Sequence, residues 1–292
     1  MGYRDAPMTL VSHIRPGDQA ILELGANQTW GERHRAAARD MREGMVLWRL
    51  CATLAWLDIR LRYRGSMLGP FWLTLSTGAM VFAMGVLYSV LFRLNLRDYI
   101  PFLAMSLVLW NFLGALVSDA CVAFTSNEGT IRSVRMPFSL YGGRIVVRNL
   151  IVLAHNALVV LVVYSLMSTW PGSIALLALP GAVLWLVNAM AVTLLLGTIC
   201  ARFRDIPPIV GSIMQMAFFV SGVIWKPEQL GAYEWMLAFN PFFSMFEVVR
   251  GPLIGVVPSA LTVASALAYS ALLWVVAWFT FARVRGRIAF WL

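Results

Sequence analysis

Six stretches of this sequence are too long and too apolar for the outside of a water-soluble fold. They are Phe71–Phe92, Tyr99–Thr125, Ile145–Trp170, Ser173–Cys200, Ile209–Trp225 and Ser259–Ala282. A helix needs about 20 predominantly apolar residues to cross the hydrocarbon of a bilayer. In that medium every backbone N–H and C=O must be paired internally, which leaves only helices and closed barrels. Continuous apolar runs of this length specify helices. The sequence therefore reads as an all-α membrane protein with six transmembrane helices. Composition agrees: 60% of the 292 residues are hydrophobic and 13% charged, against roughly 45–50% and about 25% in soluble domains.

The charges orient these spans. Ten arginines precede the first, with Arg60, Arg62 and Arg64 packed just ahead of it. Arg132, Arg135, Arg144 and Arg148 fall between the second and third, Arg202 and Arg204 between the fourth and fifth, and Arg283, Arg285 and Arg287 after the sixth. The alternate loops carry Arg93 and Arg97, then almost nothing around Pro171-Gly172, then Lys226 and Arg250 among Glu228, Glu234 and Glu247. The excess of basic residues on one side predicts both termini in the cytoplasm. A formal net charge of +9 also invites a nucleic-acid reading, but arginines set beside apolar runs mark topology rather than a groove-tracking patch, and no nucleic-acid partner is expected. Cys51, Cys121 and Cys200 are far apart in apolar sequence and read as small buried hydrophobes, not as metal ligands or disulfides.

Two segments break the up-and-down pattern. In Met45–Arg64, Leu47, Leu50, Leu54, Leu57 and Leu61 recur at heptad spacing while Arg49, Thr53, Arg60 and Arg64 take a neighbouring face. Asp58 and Arg62 are spaced to pair at i,i+4. Residues 44–64 are thus expected to form an amphipathic helix in the cytoplasmic interface, or against a soluble partner. Val223–Gly255 is too apolar for an exposed loop and too charged for a span. Its breaks at Pro227, Gly231, Pro241 and Pro252 fit two short helices, Pro227–Phe239 and Pro241–Val249. A re-entrant hairpin between the fifth and sixth spans, residues 227–250, would keep its irregular backbone within protein and would account for the short fifth span. Residues 1–43 contain no secretory h-region and few apolar runs, and are expected to be a flexible cytoplasmic tail. Residues 65–285 form the span domain, and 286–292 a cytoplasmic tail.

The chain lacks recognisable catalytic apparatus. A Walker A loop requires a lysine after a glycine-rich turn, and the only lysine, Lys226, precedes Pro227. HExxH, GxSxG and paired-carboxylate patterns are absent, which speaks against a membrane-embedded transferase. Asp119 and His155 lie within spans, where ionisable groups suggest proton relays; bonding across helices as structural glue is the favoured reading of both. Tyr88, Phe92, Trp110, Trp185, Phe218, Phe219 and Trp225 have ring faces suited to stacking on sugars along a channel, although for any single one helix packing or a place in an interfacial belt is the favoured reading.

Arg60-Leu61-Arg62-Tyr63-Arg64-Gly65-Ser66-Met67-Leu68-Gly69-Pro70-Phe71-Trp72 resembles the RY(K/R)xSxLGPxW lead into the first span of ABC type-2 permeases that export O-antigen or capsular polysaccharide. Further stretches resemble the same family in the same order: Gly85-Val86-Leu87-Tyr88-Ser89; Tyr99-Ile100-Pro101-Phe102-Leu103 through Trp110-Asn111; Arg144 with Arg148-Asn149 and His155-Asn156; Arg202-Phe203-Arg204-Asp205-Ile206; and Asn240-Pro241 with Glu247 and Arg250.

The resemblance implies a multi-pass permease of the bacterial inner membrane. It implies a homodimer docked on two separate ABC ATPase subunits that bind ATP and Mg2+, with no cofactor on this chain, moving lipid-linked polysaccharide among membrane lipids. It places a coupling helix in 126–144, making Arg132 and Arg135 contacts for the ATPase, with Arg202, Arg204 and Asp205 as a second contact. Arg60, Arg62, Arg64, Gly69 and Pro70 would flank the cytoplasmic entrance. Tyr88, Phe92, Trp110, Phe218, Phe219 and Trp225 remain the candidate channel aromatics from the residues alone, and the resemblance would put Pro227, Asn240, Pro241, Glu247 and Arg250 in the extracytoplasmic gate. A sister permease for teichoic acid, lipid or drug would share this plan. A proton-coupled carrier would instead make Asp119 and His155 essential.

Overall fold

The computed structural model describes residues 29–67, 69 and 71–292. Helix α1 (Trp30–Val46) runs into α2 (Trp48–Arg62), then come α3 (Phe71–Leu91), α4 (Leu96–Cys121), the six-residue α5 (Glu128–Ser133) and α6 (Phe138–Met167). A 3-10 turn, Gly172–Leu177, leads into α7 (Ala178–Arg202), followed by α8 (Ile206–Val220), a 3-10 segment Pro227–Phe239 interrupted at Gly231, α9 (Pro241–Leu253) and α10 (Ala260–Val284). Arg285–Arg287 makes a last 3-10 turn before α11 (Ile288–Trp291). There is no β-strand among the described residues.

Among the described residues five stretches are long and apolar enough to cross a membrane: α3, α4, α6, Gly172–Arg202 and Ala260–Trp291. The expected fifth span is α8, whose 15 residues reach about 22 Å, short of the roughly 30 Å of bilayer hydrocarbon. Local chemistry sets several helix starts. Asn95 accepts the Arg97 N–H to begin α4, Ser259 accepts the Thr262 N–H to begin α10, and Asn240 accepts those of Phe242 and Phe243 beside Pro241 to begin α9. α4 is the centre of the bundle: it packs on α3, α6, α7, α8 and α9, and most of its side chains from Tyr99 to Trp110 are buried. The outer helices keep Phe82, Val90, Leu166, Val183 and Leu272 exposed, as lipid-facing surfaces do.

Three expectations change, while the leucines of α2, read as facing an interface or a partner, do point outward. The described part of residues 1–43 is not a flexible tail: Thr29 and Glu32 form a reciprocal capping box that starts α1, and α1 packs on α6 and α10; residues 1–28 lie outside the described residues. The leucine stripe of α2 faces outward, with Leu50, Leu57 and Leu61 exposed, while Cys51, Ala55 and Ile59 turn to α6. Small side chains allow close helix approach, so the leucines are left for the surroundings. Asp58 turns away from Arg62 towards α6. Residues 286–292 also fold back as α11, burying Ile288 and Leu292 against α7 and α5.

Candidate functional site

At the end of the bundle formed by α1, α2, α5 and α11, four segments are joined by a charge network. Arg144 of α6 donates through Nε to Asp58 Oδ2 at 2.7 Å and through Nη2 to Oδ1, while its Nη1 reaches Asn127 Oδ1 at 3.0 Å. One turn on, Arg148 lies 3.4 Å from the same Asp58 and 2.7 Å from Asp119 of α4. Asn149 completes the set, donating to Asp119 Oδ2 at 2.8 Å. Charged hydrogen bonds of this kind are roughly twice as strong as neutral ones. The network fastens α2, α4 and the turn before α5 to one side of α6. Asp119 therefore acts as the interhelical glue expected of it. His155 donates from Nδ1 to the Ile151 carbonyl of its own helix at 2.8 Å and meets Phe71 edge-on.

The expected coupling segment, 126–144, contains α5, a four-residue link and the first two turns of α6. Arg132 is exposed and pairs with Glu128 at 2.9 Å, and Arg135 is exposed in the link. Arg202 ends α7 with its guanidinium 5.8 Å from the ring of Trp291, helping to seat α11, and Arg204 and Asp205 are exposed at the following corner. Because α11 touches both α7 and α5, the two expected contacts adjoin on one surface.

Arg60, Arg62 and Arg64 are exposed at the end of α2. Gly69, at φ 55°, takes a left-handed backbone that favours glycine, with its N–H on Ser66 Oγ at 3.1 Å. Pro70 lies outside the described residues.

The candidate aromatics form two groups. Tyr88 of α3 and Phe92, just past its end, stack on each other at 5.5 Å. Trp110 is buried, edge-on to both Phe218 and Phe246, so within this chain it is a packing residue. Phe218 in turn meets Phe219, which is exposed, and Trp225 donates its indole N–H to the Phe219 carbonyl at 2.8 Å.

At the opposite end, Arg250 is fully buried and does not behave as a loop charge. Its Nε and Nη2 both meet Glu247, Nη1 reaches Ser106 Oγ at 3.3 Å and the Gly222 carbonyl, and its plane lies 5.0 Å from Phe102 and 4.6 Å from Phe246. A buried cation is tolerable only when so fully paired. Asn240 caps α9 and donates to Ser221 Oγ at 3.1 Å; Pro227 is buried at the start of the 3-10 segment. The arrangement locks α9 to α4 and to the turn after α8.

Sequence reasoning did not find Asp58, Asn127 and Asp40 as partners of distant helices. The signal available for the first was the i,i+4 pair Arg144 and Arg148 on a largely apolar helix, which required acidic partners.

Residues 49–254 match the family model described as ABC-2 type transporter. Two curated relatives carry the name O-antigen export system permease protein RfbA. The protein from Myxococcus xanthus is 26% identical over 199 residues, 67% of this chain and 76% of that protein. The one from Klebsiella pneumoniae is 25% identical over 198 residues, 64% of this chain and 73% of that protein.

Proposed function

Since the chain belongs to the ABC-2 type transporter family, we propose that it is the permease subunit of an ATP-driven exporter of lipid-linked polysaccharide, O-antigen or capsular glycan. It works in the bacterial inner membrane with both termini in the cytoplasm. Six spans are reached by counting α8, with residues 227–250 re-entering from the far side. The observation that carries the substrate class is the similarity, over about two thirds of the chain, to two proteins named as O-antigen export permeases.

Physical chemistry supports the remaining parts. A glycan cannot shed its hydration in hydrocarbon without replacement partners, and one chain has few helices with which to wall a polar path. A second copy supplies the other half, and Ile209, Ile213, Met216 and Phe219 of α8 are exposed where such a partner would pack. The surface made by α5, α11 and Arg202–Asp205 is the docking face for the ABC ATPase, which holds ATP and Mg2+. Nucleotide-driven closure there would switch the permease pair between two states. The engagement of Asp119 with Arg148 and Asn149 favours this reading over a proton-coupled carrier.

The test is reconstitution in liposomes with a partner ABC ATPase subunit. Lipid-linked glycan should stimulate ATP hydrolysis only when both subunits are present. Nucleotide hydrolysis by this chain alone, or solute movement driven by an ion gradient, would overturn the proposal.

A further inference from the structure

Helix α6 begins without a cap of its own. Its N-cap position is Pro137, which has no side chain to offer the first N–H groups, and a helix start leaves such donors unpaired. The missing acceptor comes from 98 residues away. Asp40 of α1, fully buried, accepts the Phe138 N–H on Oδ2 at 3.1 Å and the Ser139 N–H on Oδ1 at 2.9 Å. Its backbone carbonyl accepts the Ser139 hydroxyl at 2.7 Å. A carboxylate at a helix N-terminus is also favoured by the helix dipole. The same carboxylate is held from the other side by Arg285 Nε at 2.7 Å, just past the end of α10.

The rest of α1 reinforces this bridge. One turn beyond Asp40, Gly44 lies so close to α6 that an added Cβ would fall 2.2 Å from Ser139 Oγ. Nearly two turns before it, His34 accepts the Trp278 indole N–H at 3.0 Å and stacks between Trp30 and Trp278. The helix is a strut tied to α10 at two levels and to the start of α6 at one.

Only the link Val134–Pro137 separates that clamped start from α5. A six-residue helix has little stability of its own, so its place is set by its contact with α11 and by what holds its ends. Asn127, bonded to Arg144, holds the front; Asp40 holds the junction behind. We infer that Asp40 is a positioning residue for α5: by clamping Phe138 and Ser139 while bound to Arg285, it makes α5 move with α10 as well as α6. The inference rests on the reading of α5 as the helix that meets the ATPase. Both Asp40 and Arg285 lie outside the residues matched by the family model.

The experiment compares full-length wild type, Asp40→Ala, Asp40→Asn and Arg285→Gln in lipid nanodiscs with the ATPase bound. Amide exchange at Phe138 and Ser139 is read first. Asp40→Ala should exchange there at least tenfold faster, with α4 and α7 unchanged. Asp40→Asn, keeping one acceptor, should fall between. Glycan-stimulated ATP hydrolysis should decline in the same order. Should Asp40→Ala fail to accumulate, Arg285→Gln, which keeps the cap and loosens its anchor, should speed exchange by a smaller factor. Wild-type exchange at both amides in these variants overturns the inference, as does faster exchange with glycan stimulation intact. If the wild-type complex shows no glycan-stimulated hydrolysis, the permease reading fails on its own, and the exchange measurement still decides whether the clamp exists.

Discussion

Arg144 holds Asp58 at two points, Nε 2.7 Å from one carboxylate oxygen and Nη2 on the other. The pair joins α2 to α6, and its side chains are 22% and 13% exposed. Removing either partner should loosen α2. We expect Asp58→Ala and Arg144→Ala each to lower the thermal midpoint in detergent. The double variant should lose less than the sum, with a coupling of about 0.5–3 kcal/mol. Additive losses would show that the contact does not carry the attachment.

Arg250 and Glu247 make a stronger demand because the guanidinium has no contact with solvent. Glu247→Ala leaves that charge without its carboxylate and should destabilise the protein by about 3–5 kcal/mol. Replacing both with apolar residues should be milder than the single change. Thermal unfolding followed by loss of monodisperse protein distinguishes the two; equal damage from single and double changes would contradict the account.

Asp119→Asn keeps an acceptor for Arg148 or Asn149 and removes only the charge. Surface glycan in a complemented strain should be largely retained. Complete loss, with the protein present at normal level, would restore Asp119 as a proton-carrying group.

Arg132 and Arg135 are exposed and take no part in the bundle interior. Arg132→Glu with Arg135→Glu should leave the protein at wild-type abundance while the ATPase subunit no longer co-purifies. Undiminished recovery of that subunit would remove both residues from the docking surface.

Burial pushes the Cys51 thiol from its ordinary 9.0 up to about 11. A thiol raised in the folded state stabilises below pH 9 and loses that contribution as pH climbs through 11. Alkylation of the Cys51 peptide, followed by mass spectrometry, should be slow at pH 8 and accelerate steeply between pH 9 and 11. Rapid labelling at pH 8 would mean that α2 does not stay docked on α6.

Much of the fold was legible because its determinants are local. The apolar runs of α3, α4, α6, α7 and α10 are written as length and hydropathy, and Asn240-Pro241 marks the start of α9 by cap chemistry alone. What escaped depended on partners far away in the chain. Asp58 had a plausible neighbour in Arg62, yet two arginines of α6 offered more charge and more donors. Asp40 sat in a polar, arginine-rich stretch that looked unstructured, and nothing nearby in sequence reveals that Pro137 leaves a helix uncapped. Arg250 looked like a loop charge because two of its acceptors, Ser106 and Gly222, come from other elements.

The clamp at Asp40 has a consequence for how the protein is made. Its second ligand, Arg285, is synthesised 245 residues later, behind the long apolar helices α3, α4, α6, α7 and α10. Until then the aspartate has only the start of α6 for a partner. A chain stalled or truncated before residue 285 would therefore keep the cap on α6 but leave its carboxylate without a cation, and α1 should be more open to proteases.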